Sequence, residues 1–203
     1  MLPTRTPLIL KLLYPNLIWN IKTIEKSIFI TFDDGPTPVV TPYVLDLLDK
    51  FNFKATFFCI GNNVEKFPDI YSEILKRGHQ TANHTFNHIN GFKSNNSLYF
   101  ENIKKCSDFV ISSYFRPPHG KLKFSQISFL KNKYKIVMWT LLAEDWNNKM
   151  NVKLKLAKLI KNTRSGDIIV FHDSLKAQKN LEFLLPNYLK FLSENGFTSL
   201  VFK

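Results

Sequence analysis

From residue 27 onward the chain alternates short apolar runs of strand character with longer segments of helical character, and most of the strand-like runs end in ionisable residues. The first run is Ser27-Ile28-Phe29-Ile30-Thr31-Phe32, which leads into Asp33-Asp34-Gly35-Pro36. β-Branched and aromatic residues favour a buried strand and Gly-Pro stops it, so two carboxylates are left at the strand's mouth. Successive strand side chains point opposite ways, so the two acids are expected to take different jobs. Helices are expected over 40–51, 68–77, 98–110, 152–162 and 181–194, the last stopping at Asn195-Gly196. Strands are expected at 55–60, into residue 84, near 114 and 136, at 168 and over 199–202. Such alternation implies a parallel sheet, either doubly wound or closed into a barrel. Polar residues at strand ends favour the barrel, which gathers the C-terminal ends of its strands around one mouth.

Asp-Asp-Gly-Pro by itself is ordinary turn composition. Fifty residues on, Asn83-His84-Thr85-Phe86-Asn87-His88 places two imidazoles four residues apart, a spacing that converges on one cation if the segment turns helically. Phe115-Arg116-Pro117-Pro118-His119-Gly120 is a restricted loop in which prolines fix the backbone beside an arginine able to clamp a carboxylate. Ala143-Glu144-Asp145-Trp146 and Gly166-Asp167-Ile168-Ile169-Val170-Phe171-His172-Asp173 again set polar residues at the ends of apolar runs. Each segment alone is unremarkable core with a polar cap. Five in order describe a site.

In these five segments the chain resembles the polysaccharide deacetylases with NodB homology, carbohydrate esterase family 4, over about residues 27 to 203. The resemblance implies a distorted (β/α)7 barrel, with which the seven strand-like segments agree, and a metal-dependent hydrolase that removes N-acetyl groups from N-acetylated sugars. It implies that Asp34, His84 and His88 hold a divalent metal and that Asp33 is the general base. Thr85 would steady the loop carrying the histidines. Arg116 would pair with the base, the backbone N–H of His119 would help stabilise the oxyanion, and His172 would be the general acid, oriented by Asp145. Trp146 and Val170 would form the apolar wall around the acetyl methyl group. Zinc suits an Asp-His-His set with water, while cobalt, nickel or iron(II) also accept imidazole. The chemistry is coherent: amide hydrolysis needs an activated water, charge stabilisation on the carbonyl oxygen and a protonated leaving amine.

Two positions depart from the family pattern. Leu142 stands where an aspartate is usual, three residues before Asp145, and His119 stands where a tyrosine is usual. Two other readings share the motifs: a metal amidase acting on a small non-sugar amide, and a catalytically silent glycan-binding protein. Retention of both Asp33 and His172 favours the enzyme, since binding alone needs neither base nor acid.

The net charge is +12, from 28 Lys and Arg against 16 Asp and Glu. No nucleic-acid motif accompanies it, so a solvated basic surface is expected, with N-acetylated glycan rather than nucleic acid as partner. Cys59 and Cys106 are expected free and buried. The apolar stretch 7–19 is interrupted by Lys11 and Pro15 and lacks an A-x-A-like cleavage site, so neither a signal peptide nor a spanning helix is expected. Residues 1–26 are read as a segment packed on the barrel, in preference to a peripheral membrane anchor, and 27–203 as the catalytic domain. The expected location is cytoplasmic or peripherally membrane-associated, which sits awkwardly with a polymeric cell-wall substrate. The formal glycosylation sequons at Asn83 and Asn95 are read as chance.

Overall fold

The computed structural model describes residues 3–203. In chain order the elements are α1 Leu8–Leu13, β1 Ser27–Asp33, α2 Val40–Lys50, β2 Ala55–Cys59, α3 Gly61–Lys66, α4 Pro68–Lys76, β3 Gln80–Asn83, α5 Asn96–Ser107, β4 Tyr114–Phe115, α6 Phe124–Leu130, β5 Lys135–Ile136, β6 Leu141–Leu142, α7 Val152–Asn162, β7 Ile168–His172, α8 Gln178–Glu194 and β8 Thr198–Ser199. The sheet runs β5-β4-β3-β2-β1-β7-β6, every pairing parallel, with β8 on the first two residues of β1.

Helix starts follow local chemistry. Pro68 opens α4 with Asp69 in its first turn, and the side chains of Asn95 and Asn151 accept from the N–H groups of Leu98 and Leu154 to cap α5 and α7. Asn83 is buried and its side-chain amide is spent on Ile103 O and Ser107 Oγ, so that sequon offers no amide to a glycan.

The single strand expected around 136–141 is two. Residues 137–140 leave the β5 edge and arrive at the β6 edge, so the opposite edges of the sheet lie within a four-residue link and the sheet must curl. No ladder closes that gap. The N-terminal segment lines it: Ile18 N and Met138 N bond Ile136 O and Ile18 O, while on the other edge Thr6 N and Leu142 N bond Thr140 O and Thr4 O. The expected distorted (β/α)7 barrel thus forms, with seven strands along the curled sheet and β8 beside β1 off that path. The last strand is also shorter than expected, because Phe202 turns in to stack on Phe29.

Alternation along β1 sorts its side chains. Ile28, Ile30 and Phe32 pack outward with α2 and α8, whereas Phe29 joins Phe58, Tyr114, Ile168 and Phe202 inside. Thr31 and Asp33 continue the inner face towards the C-terminal mouth. An apolar plug thus fills the barrel floor and polar residues rise above it. Cys59 and Cys106 are free and buried. Among the described residues no helix is long and apolar enough to cross a membrane.

Candidate active site

The strand register sets the site. Asp33, at the end of β1, is the lateral partner of His172 at the end of β7. Asn83, ending β3, is the partner of Phe115, ending β4, so His84 and Arg116 leave the sheet side by side. Four functional residues separated by up to 139 positions are gathered at one mouth by parallel pairing alone.

Arg116 is wholly buried and rises through the barrel interior with its guanidinium over the Phe58 ring at 4.0 Å. It donates from Nη1 to Asp33 Oδ1 at 2.6 Å and to Thr31 Oγ1 at 2.8 Å, from Nη2 to Met138 O at 3.0 Å, and from Nε to Val137 O. Each of its nitrogens is therefore satisfied, and the pair holds the carboxylate at the cleft floor. Asp34 has φ +82° and breaks from the strand, which sends its side chain towards the histidines.

The histidine segment does not turn helically. His84 follows β3 directly and Thr85 and His88 take left-handed φ values of +64° and +53°, so a loop, not a helical turn, converges the rings, whose centroids lie 5.2 Å apart. Thr85 steadies it by accepting Ile89 N–H on Oγ1. Burial lowers the His84 pKa to about 4, so the ring is neutral at pH 7. Its Nδ1–H is donated to Arg116 O at 2.8 Å, which leaves the Nε2 lone pair free. That Nε2 lies 3.7 Å from Asp34 Oδ1 and His88 Nε2 lies 3.1 Å from it, yet this carboxylate oxygen is buried without accepting a hydrogen bond. An orphaned oxygen facing two imidazole nitrogens, all within 4.8 Å, is a donor set that fits a divalent cation.

His172 donates its Nδ1–H to Asp145 Oδ1 at 2.8 Å, and its backbone N–H donates to Asp145 Oδ2 at 2.8 Å. Burial lowers its pKa, but the Asp145 charge and hydrogen bond outweigh it, with smaller help from Asp34 and Asp33, and raise it to about 9. The Trp146 ring meets His172 edge to face at 4.5 Å. His119 takes φ +61° and sets its ring 4.7 Å from that of His88; it is outside the cation-competent cluster.

A cleft of about 670 Å³ is lined by Asp33, Asp34, His84, His88, His119, Trp146, Val170 and His172. Arg116 and Asp145 do not line it; they stand behind Asp33 and His172. A family model for polysaccharide deacetylase matches residues 20–133. The chain belongs to that family. A peptidoglycan-N-acetylglucosamine deacetylase of Bacillus cereus is 35% identical over 88% of this chain and 87% of its own. A chitooligosaccharide deacetylase of Azorhizobium caulinodans is 33% identical over 73% of this chain and 74% of its own. A crystal structure of a peptidoglycan N-acetylglucosamine deacetylase superposes with a TM-score of 0.83 at 29% identity, covering 91% of each chain. This polysaccharide deacetylase is thus a hydrolase of amide C–N bonds.

Three residues of this deacetylase's site escaped the sequence reading. Asp173 accepts from Gly35 N and Thr41 Oγ1 and tethers the 33–37 turn; a Cβ on Gly35 would fall 1.9 Å from its carboxylate, so only glycine fits there. Burial, then the charge of Asp34, push the Asp173 pKa up to about 7 despite the Thr41 hydroxyl. Asn63 Nδ2 holds Asp34 O at 2.7 Å, and Asn180 Nδ2 holds Asp145 O at 2.8 Å. Only Asp173 carried a signal, its place straight after His172; the other two lie on helices with no spacing relation to the motifs. Asp173→Ala is expected to cost about 1–3 kcal/mol, the price of a buried Gly35 N–H without an acceptor, read from the urea midpoint.

Leu142, in place of the usual aspartate, is buried at the end of β6 and lines the catalytic cleft as apolar wall beside Trp139. The exchange alters the cleft wall and leaves the Asp145–His172 pair in place.

Proposed function

We propose that the protein removes acetyl groups from N-acetylglucosamine units of a peptidoglycan or chitin-like glycan, with Asp33 as base and His172 as acid. The observation that carries this is the register pairing of Asp33 with His172, each braced from behind by one buried partner, beside a carboxylate and two imidazoles whose free atoms face one another. Asp34, His84 and His88 would hold a divalent cation, zinc by ligand preference, with cobalt, nickel or iron(II) as substitutes. Such a cation would lower the pKa of water from ~15.7 to about 7 and polarise the substrate carbonyl.

The chain's own groups do the rest. Asp33, fixed by Arg116, takes the proton of the attacking water. The N–H of His119, in its left-handed turn at the cleft, would donate to the developing oxyanion. His172, held as an imidazolium by Asp145, protonates the departing amine, which leaves as a neutral group. Trp146 and Val170 confine the acetyl methyl.

Acetate release from N-acetylglucosamine oligomers of increasing length, by protein stripped of metal and then supplied with zinc, cobalt or nickel, tests the assignment. Release is expected only with metal. Metal binding without acetate release would instead leave the non-sugar amidase or the silent glycan binder. His84→Ala is expected to lose both metal and turnover, whereas His172→Ala keeps its metal by elemental analysis and loses about 10² to 10⁴ in rate.

A further inference from the structure

A second cavity, of about 450 Å³, adjoins the catalytic cleft and shares Pro117, His119, Gly120, Trp139 and Leu142 with it. Its outer rim is built by the N-terminal segment: Pro7, Leu10 and Tyr14 face Phe92 and Lys121 across it. The rim is apolar on its outside as well. None of the six residues of α1 is buried, and Leu8, Ile9, Leu12 and Leu13 are 69, 59, 66 and 57% exposed. Phe92 is half exposed, and Phe124, 70% exposed, stacks on Tyr14 at 5.2 Å, so these side chains form one projecting patch.

The charge around the patch is one-sided. Residues 3–20, 89–100 and 117–139, the segments that build this side, contain no aspartate or glutamate; all 16 acids lie elsewhere. Within them stand Lys11, Lys93, Lys121 and Lys123, while Arg5 is taken up by an ion pair with buried Asp167. Lys93 follows exposed Phe92, and Lys123 precedes Phe124 and reaches back to Ser94 O, so basic side chains flank the two projecting aromatics. Exposed aliphatics and aromatics flanked by lysines, with the one nearby acid, Asp167, buried and spent on Arg5, match the headgroup and acyl boundary of an anionic bilayer. A second copy of the chain on this face would oppose two basic rims. Nucleic acid would leave the aliphatics unpaired.

We propose that this face docks on an anionic lipid bilayer, α1 lying in the interface with Leu8, Ile9, Leu12 and Leu13 turned into it and the lysines at the headgroups. The docking stands independently of the reaction assigned above. It places the outer rim of the second cavity, and through it the catalytic cleft, beside the membrane surface.

The test is flotation of the full chain with phosphatidylcholine vesicles, with and without phosphatidylglycerol, at low and high salt. The protein is expected to float with the phosphatidylglycerol vesicles, at least about tenfold more than with phosphatidylcholine alone, and to be released by salt. Ile9→Glu with Leu12→Glu is expected to reduce binding about tenfold or more while leaving the thermal midpoint unchanged, because both side chains are already in solvent. Lys93→Glu with Lys121→Glu is expected to remove the preference for phosphatidylglycerol. No flotation of the wild type, undiminished flotation of the Ile9/Leu12 variant, or a solution dimer abolished by those two substitutions would each overturn the proposal.

Discussion

Arg116→Met is expected to lower the unfolding free energy by about 3–5 kcal/mol, because it strands the Asp33 carboxylate at the barrel floor without its buried counter-charge. The side chain is wholly enclosed and makes hydrogen bonds to both the base and the closing 137–138 link, so its loss loosens β1 and the link together. Turnover falls with it, since Asp33 loses the group that aims it. Asp33→Asn separates the two effects: Arg116 keeps Thr31 Oγ1 and two carbonyls as acceptors, so stability changes less, while turnover drops by about 10² to 10⁴ with metal content intact. The double variant is expected to cost less than the two single losses summed, as residues sharing one pair do. A wild-type urea midpoint for Arg116→Met, or wild-type turnover for Asp33→Asn, would overturn the roles given to this pair.

Asp145→Asn is expected to move the alkaline limb of turnover towards acid. Burial alone would lower the His172 pKa; the Asp145 charge and hydrogen bond carry it instead to about 9, above the usual 6.5. The folded protein therefore keeps a proton that the unfolded chain releases, and the stability this contributes is complete below about 6.5 and lost as pH rises through about 9. In the proposed reaction the imidazolium is also the proton donor, so turnover is expected to fall as pH rises through the same pKa. A divalent cation held by Asp34, His84 and His88 would add positive charge near His172, so the limb of the loaded enzyme is expected below the value of the stripped one. Without Asp145 the burial penalty is unopposed by its main counter-charge. The ring carbon and nitrogen shifts of His172 in stripped protein, followed against pH, give the pKa directly. An unshifted value in Asp145→Asn would mean that the carboxylate only positions the ring.

Residue types and order were enough to place the chemistry at strand ends, because strand formers, turn formers and ionisable residues are each decided locally. The ten candidate residues all come to one cleft or stand immediately behind it. What local patterning missed is informative. The two short helices Gly61–Lys66 and Phe124–Leu130 bury only two and three residues, too few to leave a readable period. The 136–141 run reads as one strand because every residue in it is strand-like; its division into β5 and β6 comes from the curl of the sheet, which has to pass from one edge to the other there. The histidine pair reads as a helical turn from spacing, whereas the loop reaches the same convergence through two left-handed residues, a conformation that neither threonine nor histidine announces.

The sequence by itself determined the parallel alternation, the opposite facing of successive β1 side chains such as Asp33 and Asp34, and the stock of carboxylates and imidazoles, since periodicity and side-chain chemistry act over a few residues. Only the tertiary structure decided which of those groups became partners. Asp33 met Arg116 and His172 met Asp145 through pairings 83 and 27 residues long, fixed by strand register and by a buried charge's need for a counter-charge. The fate of residues 3–20 was decided in the same way. Their backbone lines the seam that the sheet cannot close, Leu17 and Trp19 are buried within it, and Leu8, Ile9, Leu12 and Leu13, finding no room inside, face outward.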